Sequence, residues 1–122
     1  MNTIAQVAHN DAAELGVIGA AVLDARSCSE AIAFGLQPHE FAWETNGELW
    51  RAILEVAKSG RPVDYVTVTS EAAAPMFAHQ DGGVHIVLGN IIGGAFSPGE
   101  GREYARLVRA AFRSQKIAEN VV

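Results

Sequence analysis

The chain has 122 residues, of which 49% are hydrophobic, and a formal net charge of −5, values that fit one acidic domain with a hydrophobic core. Its one cysteine, Cys28, excludes an intrachain disulfide and favours a reducing compartment. The sequence shows neither a secretory leader nor an apolar run of membrane length, so we expect a cytoplasmic protein that is not bound to a membrane.

The first predicted helix follows a short polar segment, residues 1–10, which we expect to be a flexible lead-in. Asp11 and Glu14 have the spacing of a capping box, in which each side chain satisfies a backbone N–H at the start of a helix. Apolar residues recur at helical spacing after this pair. The sequence therefore predicts a helix over about residues 12–23.

The same capping-box spacing predicts two further helix starts. Ser27 and Glu30 open a short helix, which Gly35 ends because glycine readily adopts the left-handed conformation of a helix C-terminus. Thr45 and Glu48 open the clearest amphipathic helix of the chain. We therefore expect three capping boxes along the first half of the sequence.

Helix-breaking residues mark the region after this third helix. Gly60 and Pro62 end the helix, and Asp64 is a suitable cap for a short helix over about residues 65–74. The β-branched start of this segment is also compatible with a strand, but the cap favours a helix. Pro75 ends or kinks it.

Glycines inside apolar segments predict close packing. Gly16 and Gly19 are costly within a helix, so they indicate the close approach of a neighbouring helix. Gly89 and Gly93 have the spacing of small residues at helix contacts and lie in the apolar stretch 84–93. The stretch is too short for a membrane span, so tight packing in the core is expected there.

The last predicted helix begins near Glu100 and has two different faces. At 100° per residue, five of the nine basic residues project within a narrow arc: Arg102, Arg106, Arg109, Arg113 and Lys116. Apolar residues project from the opposite side: Tyr104, Leu107, Val108, Ala111 and Phe112. The basic face fits a solvated surface, a docking strip for an acidic patch, or a nucleic-acid contact. Residues 1–101 carry 4 basic and 12 acidic side chains, a net charge of −8, which disfavours tight binding to DNA.

The residues that carry catalysis in other proteins do not form a recognisable set here. ATP hydrolysis needs a glycine-rich loop ending in Lys-Ser or Lys-Thr, and the pair 58–59 instead closes a helix. His79, Asp81 and His85 lie close in sequence but have no fourth partner for zinc. Cys28 has no partner histidine that the sequence identifies. We therefore expect no enzyme activity, no cofactor and no metal.

Five segments, taken in chain order, follow the pattern of a known family. They are residues 13–24 in the first helix, Phe41, residues 49–68, Gly82-Gly83, and residues 104–109 at the start of the last helix. In these positions the chain resembles the N-terminal domain of DnaB-type replicative DNA helicases. The closest match is residues 49–68, an amphipathic helix followed by Gly-x-Pro-x-Asp and an aliphatic-Thr pair. Departures include Leu15, where the family often has Gln, and the absence of the ATPase domain.

The resemblance implies an all-α, single domain of about six helices over residues 11–122, ending in a longer helix. It implies a non-catalytic role in DNA replication, in which the domain pairs with copies of itself and docks a primase or a helicase loader. In a longer chain it would also adjoin the helicase ATPase domain. The alternative from another functional class is a small DNA-binding regulator that uses the basic face of the last helix.

The last helix supplies the candidate interface residues. The apolar candidates for a subunit contact are Tyr104, Val108 and Phe112, and the polar candidates are Arg106, Arg109 and Arg113. The competing interpretation is that the apolar residues pack on the core of their own domain.

Overall fold

Six α-helices and two short 3₁₀ turns make up residues 10–119 of the computed structural model, the part of the chain that the structure describes. The helices are α1 (Asp11–Leu23), α2 (Ala25–Phe34), α3 (Glu44–Lys58), α4 (Tyr65–Glu71), α5 (Gly83–Ile92) and α6 (Gly101–Glu119). No strand occurs within these residues, so the prediction of an all-α fold of about six helices with a longer last one is confirmed. The predicted lead-in lies outside the described residues except for Asn10, which caps α1. Within residues 10–119, no helix combines the length and the apolar character needed to cross a membrane.

Helix α1 lies at the centre of the fold and packs against α2, α3, α5 and α6. Nine of its 13 residues are buried, because several neighbours surround it. Trp50 of α3 is the largest fully buried side chain, and its indole N–H donates to the carbonyl of Leu36 at 2.9 Å. The core is therefore built around a helix of small and aliphatic residues, with one aromatic anchor from α3 beside it.

Both glycines within α1 make close contacts, as the sequence predicts. A Cβ atom on Gly16 would lie 3.0 Å from the ring of Tyr104 in α6, and one on Gly19 would lie 2.6 Å from the ring of Phe96. The neighbour at Gly19 belongs to the loop before α6, not to a helix. The prediction for Gly89 is wrong, because this residue is exposed and an added Cβ would meet no atom within 4 Å.

The three predicted capping boxes are wrong, because each of these helices begins earlier in the sequence than the box requires. Asn10 caps α1, with its side-chain oxygen accepting from the N–H of Ala13 at 3.0 Å. Asp24 caps α2 by accepting from the N–H groups of Arg26 and Ser27. Helix α3 follows a tryptophan that makes no side-chain capping bond.

Two of the three glutamates assigned to these boxes make tertiary contacts instead. Glu14 is 2% exposed and accepts from the backbone N–H groups of Ala42 at 2.6 Å and Trp43 at 3.4 Å, and from the Asn46 amide at 3.0 Å. Glu48 accepts from the N–H of Ala73 at 2.8 Å. Both carboxylates therefore hold separate elements of the fold together.

The cap predicted for the fourth helix is confirmed. Asp64 accepts from the N–H of Thr67 at 2.9 Å, and the Thr67 hydroxyl in turn accepts from the N–H of Asp64 at 3.0 Å. The helix ends at Glu71, earlier than predicted. Pro75 lies in the first turn of the 3₁₀ segment Ala74–Phe77, where proline is tolerated because its missing N–H needs no partner.

Candidate interaction surface on the last helix

The start of α6 is fixed by a buried contact with α2. The Ser27 hydroxyl donates to the carbonyl of Pro98 and accepts from the N–H of Gly101 at 3.1 Å. A Cβ atom on Gly101 would lie 2.6 Å from the backbone oxygen of Ser27, so only glycine fits at this point. The contact positions the whole helix on the body of the domain.

The three apolar interface candidates differ in how much surface they keep. Val108 is 1% exposed and packs in the core of its own chain, as the competing interpretation of the sequence proposes. Tyr104 is half-buried on Gly16, and its hydroxyl accepts from the N–H of Ser97 at 2.8 Å. Phe112 is half-buried with its ring edge-on to His39, at 5.5 Å between centroids. In this conformation only Tyr104 and Phe112 retain surface for a partner.

Arg109 does not extend freely into solvent but joins three elements of its own domain. Its guanidinium donates to the carboxylate of Glu40 through Nε at 2.7 Å and Nη2 at 3.1 Å. Nη2 also donates to the carbonyl of Gly35 at 2.8 Å, where α2 ends. The same group lies 4.5 Å from the centre of the Phe34 ring, a cation–π contact. Arg109 therefore ties α6 to the end of α2 and to the 3₁₀ turn Pro38–Glu40.

Glu40 is the buried partner in this ion pair, with only 4% of its side chain exposed. Burial by itself would raise the pKa of the Glu40 carboxyl. The hydrogen bonds from Arg109 and from the N–H of Gln37, together with the charge of Arg109, outweigh burial and hold this pKa below its usual value. The carboxylate is thus ionised and bonded over the whole neutral range.

The lowered pKa of Glu40 predicts that acid weakens the fold. The pKa of this group is lower in the folded chain than in the unfolded chain, so its contribution is complete above the unfolded value and is lost as the pH falls through the folded value. Glu40→Gln should therefore be less stable than the natural chain at neutral pH, and the difference should shrink between about pH 5 and pH 2. Urea unfolding followed by circular dichroism over this range measures it.

The matched control for the pH experiment is Glu55→Gln, which removes an exposed carboxyl from α3. Its unfolding curve should follow that of the natural chain at each pH. A difference between Glu40→Gln and the natural chain that stays constant down to pH 2 would contradict the assignment, because a protonated glutamate and a glutamine are nearly equivalent.

The basic stripe predicted from the sequence is partly neutralised. Arg106 pairs with Glu103 at 2.6 Å, and Lys116 lies 3.5 Å from Glu119. Arg109 is bound to its own carboxylate, so among the five basic residues of this stripe Arg102 and Arg113 are the two that are exposed and make no ion pair with the described residues. The surface is therefore less positive than five basic residues on one arc suggest.

The C-terminal part of α6 presents the most exposed apolar side chain of this helix. Ile117 is 66% exposed. Lys116 lies 5.5 Å from the centre of the Phe112 ring, which it partly covers from the same helix. The ion pair of Lys116 with Glu119 also lies within α6. Ile117 therefore joins the candidates for a contact with a partner, although the analysis of the sequence did not select it.

The residues that bind the last helix were not predicted from the sequence. Glu40 lies 69 positions before Arg109, and Ser27 lies 74 positions before Gly101. No local pattern signals a pair so far apart in sequence. Of the contacts made by the basic residues, the pair of Glu103 with Arg106 and that of Lys116 with Glu119 have a helical spacing that could have predicted them.

The structure also places the other residues that the sequence suggested for catalysis or metal binding. Cys28 is 5% exposed, and burial raises the pKa of its thiol, which opposes thiolate chemistry. Among residues 10–119, no three His, Cys, Asp or Glu side chains group in a way that could hold a metal ion. His85 instead lies beside Tyr65, whose hydroxyl donates to the His85 carbonyl at 3.0 Å.

The family model of the DnaB-like helicase N terminal domain matches residues 6–110. Over 72 residues, the chain is 40% identical to the replicative DNA helicase DnaB of Geobacillus stearothermophilus, and this segment covers 59% of the chain but 16% of that helicase. The crystal structure of the N-terminal domain of DnaB helicase from Mycobacterium tuberculosis is similar with a TM-score of 0.80 at 24% identity, over 91% of this chain and 78% of that one.

Proposed function

Because the chain belongs to the family of DnaB-like helicase N-terminal domains, we propose that it acts in DNA replication as a non-catalytic domain for self-association and partner docking. The family match over residues 6–110 is the observation that carries this proposal. It also confirms the resemblance drawn from the five sequence segments. The chain spans a small share of the helicase it matches, so unwinding and ATP hydrolysis are assigned to the rest of such a helicase and not to these residues.

The proposed partners follow from this role. They are a second copy of the chain, a primase or a helicase loader, and the ATPase domain where the chain is part of a longer helicase. Replication proteins of this kind work where the chromosome lies, so a cytoplasmic location in a bacterium is part of the proposal. No cofactor is needed for assembly of this kind.

The exposed side of α6 is the surface we assign to the partner. Ile117 is largely exposed and, at 100° per residue, projects on the same side as Arg106 and Arg113. Tyr104 and Phe112 lie nearer the body of the domain and keep part of their surface. Arg106 and Arg113 are exposed on the same helix and can complete a polar rim. Val108 and Arg109 support this surface from beneath, since both are engaged in their own domain.

Self-association should be measurable by light scattering coupled to size-exclusion chromatography from low to high micromolar concentration. We expect a dimer or a larger species, and we expect Ile117→Asp to shift it toward monomer because a charge replaces an exposed apolar contact. Lys58→Glu, a change of an exposed residue on α3, is the control and should leave the distribution unchanged. A monomer at every concentration would remove self-association from the proposal.

Partner docking has a separate test in calorimetric titration with purified primase. Charge reversal at Arg113 should weaken the complex without changing the helical circular dichroism, because Arg113 makes no ion pair among the described residues. Unchanged affinity would argue against the basic face as a docking strip. Binding of the chain to duplex DNA that falls steeply with salt would instead favour the DNA-binding regulator.

A further inference from the structure

A second surface, separate from α6, has the properties of a binding groove. It lies between the end of α1, the start of α4 and the outer side of α5, and has a volume of about 570 Å³. Its apolar lining consists of Val22, Leu23, Tyr65, Ile86 and Ile92. None of its lining residues belongs to the last helix, so the groove is independent of the surface assigned above.

The groove exposes large apolar side chains. Leu23 and Ile86, which both line it, are each 51% exposed. Covering such side chains with an apolar partner is favourable because it removes their surface from water. Apolar surface gathered in one concave place and edged by polar residues is typical of a protein-binding site.

Gly89 gives the groove an open floor. It lies one helical turn after Ile86 and one turn before Ile92, so all three share a side of α5. An added Cβ atom at Gly89 would meet no atom within 4 Å, which means that the backbone of α5 is bare at this point. A bare backbone between two isoleucines allows another helix to approach closely.

The charges around the groove indicate the charge of the partner that it would bind. Asp64 contributes a carboxylate, and no Lys or Arg lines the groove. Helices α1 and α5 end at Leu23 and Ile92, both of which line it, and neither helix has a basic residue in its last turn. The C-terminus of α5 adds negative partial charge to the groove. The N-termini of α2 and α4 offset part of this charge, but each is capped by a carboxylate, that of Asp24 or Asp64, so the rim of the groove stays acidic.

We propose that this groove binds an amphipathic helix of another protein that carries Lys or Arg beside its apolar face. The apolar residues of that helix would cover Leu23 and Ile86, and its backbone would lie against Gly89. Its cation would face Asp64 and the end of α5. This is the helix-in-groove mode of recognition, with affinity from apolar anchors and orientation from charge.

The test uses the full chain and a designed helical peptide with Leu at positions i, i+3, i+4 and i+7 and Lys at the polar positions. A second peptide has Glu in place of each Lys. Binding is followed by fluorescence anisotropy and by backbone NMR shifts. We expect the Lys peptide to bind at least about tenfold more tightly than the Glu peptide, with shifts that centre on Leu23, Ile86 and Gly89.

Two variants change the groove without disturbing the fold. Gly89→Gln should reduce the affinity for the Lys peptide at least about tenfold, since a neutral side chain fills the open floor, and the replacement favours the helix. Asp64→Asn should reduce it about threefold, because asparagine caps a helix equally well but carries no charge. Gly89→Ala is the control and should bind almost as tightly as the natural chain.

Each of three results would overturn the proposal. The first is equal binding of the Lys and Glu peptides, and the second is an affinity that Gly89→Gln leaves unchanged. The third is a shift of the groove resonances with protein concentration in the absence of peptide, which would show that a second copy of this chain covers the groove. None of these outcomes depends on the oligomeric role proposed for α6.

Discussion

Replacing Arg109 by Met should lower the free energy of unfolding by about 3 kcal/mol. The substitution keeps much of the apolar stem but leaves the Glu40 carboxylate, with 4% of its side chain exposed, without its cation. It also removes the hydrogen bond to the carbonyl of Gly35 at the end of α2 and the cation–π contact with Phe34. A buried charge without a partner costs more than the pair itself contributes, so the loss should be large.

Urea unfolding followed by circular dichroism measures the effect of Arg109→Met. The matched control is Arg113→Met, which removes an exposed positive charge from the same helix and should change the stability by less than about 0.5 kcal/mol. A double-mutant cycle with Glu40→Gln should give a coupling energy of about 1–3 kcal/mol. Equal effects of Arg109→Met and Arg113→Met would contradict the role assigned to the ion pair.

The ion pair of Arg109 limits which residues are suitable for testing the basic face of α6. Charge reversal at Arg109 would place two carboxylates together in a nearly buried site, so a lost partner complex could reflect partial unfolding. The exposed residues Arg102 and Arg113 are the proper positions for charge reversal, since their substitution leaves the described ion pairs in place.

Glu14→Leu should lower the free energy of unfolding by about 3–4 kcal/mol, because it removes the carboxylate that accepts from three N–H donors. These donors are the backbone N–H groups of Ala42 and Trp43 and the side-chain amide of Asn46. The volume of the side chain is nearly conserved, so the lower free energy of unfolding would reflect the lost hydrogen bonds and not a cavity. Glu14→Gln should cost less, since its amide oxygen still accepts from one or two of the donors.

Thermal and urea unfolding of the two variants would test this prediction. Glu30→Leu is the control, since Glu30 makes an exposed pair with Arg26 on α2 and its loss should cost less than about 1 kcal/mol. If Glu14→Leu lost no more stability than Glu30→Leu, the carboxylate would not be needed to join α1 to the start of α3. We expect Glu14→Leu to keep the helical far-UV circular dichroism spectrum of the natural chain but to unfold at a lower temperature and a lower urea concentration.

The sequence alone determined most of the helical framework. Spacing of apolar residues, Gly35 after α2 and the cap at Asp64 are local features, and each acts within about one helical turn. The two faces of the last helix are likewise a property of its own periodicity. Gly16 and Gly19 indicated close contacts because a glycine within a helix lowers the stability of the helix. Such a glycine is expected where a neighbouring side chain leaves no room for a Cβ atom.

The tertiary structure alone decided what individual polar and small residues do. Glu14 and Glu48 have the local spacing of capping boxes, yet neighbours 28 and 25 positions away bind their carboxylates. Arg109 belongs to the basic stripe by periodicity, but Glu40 reaches it through the fold. Gly89 has the spacing of a packed glycine and is exposed, because no element of the described chain covers that side of α5. Local free energies determine where a helix forms, whereas burial and long-range partners determine which of its side chains remain available for function.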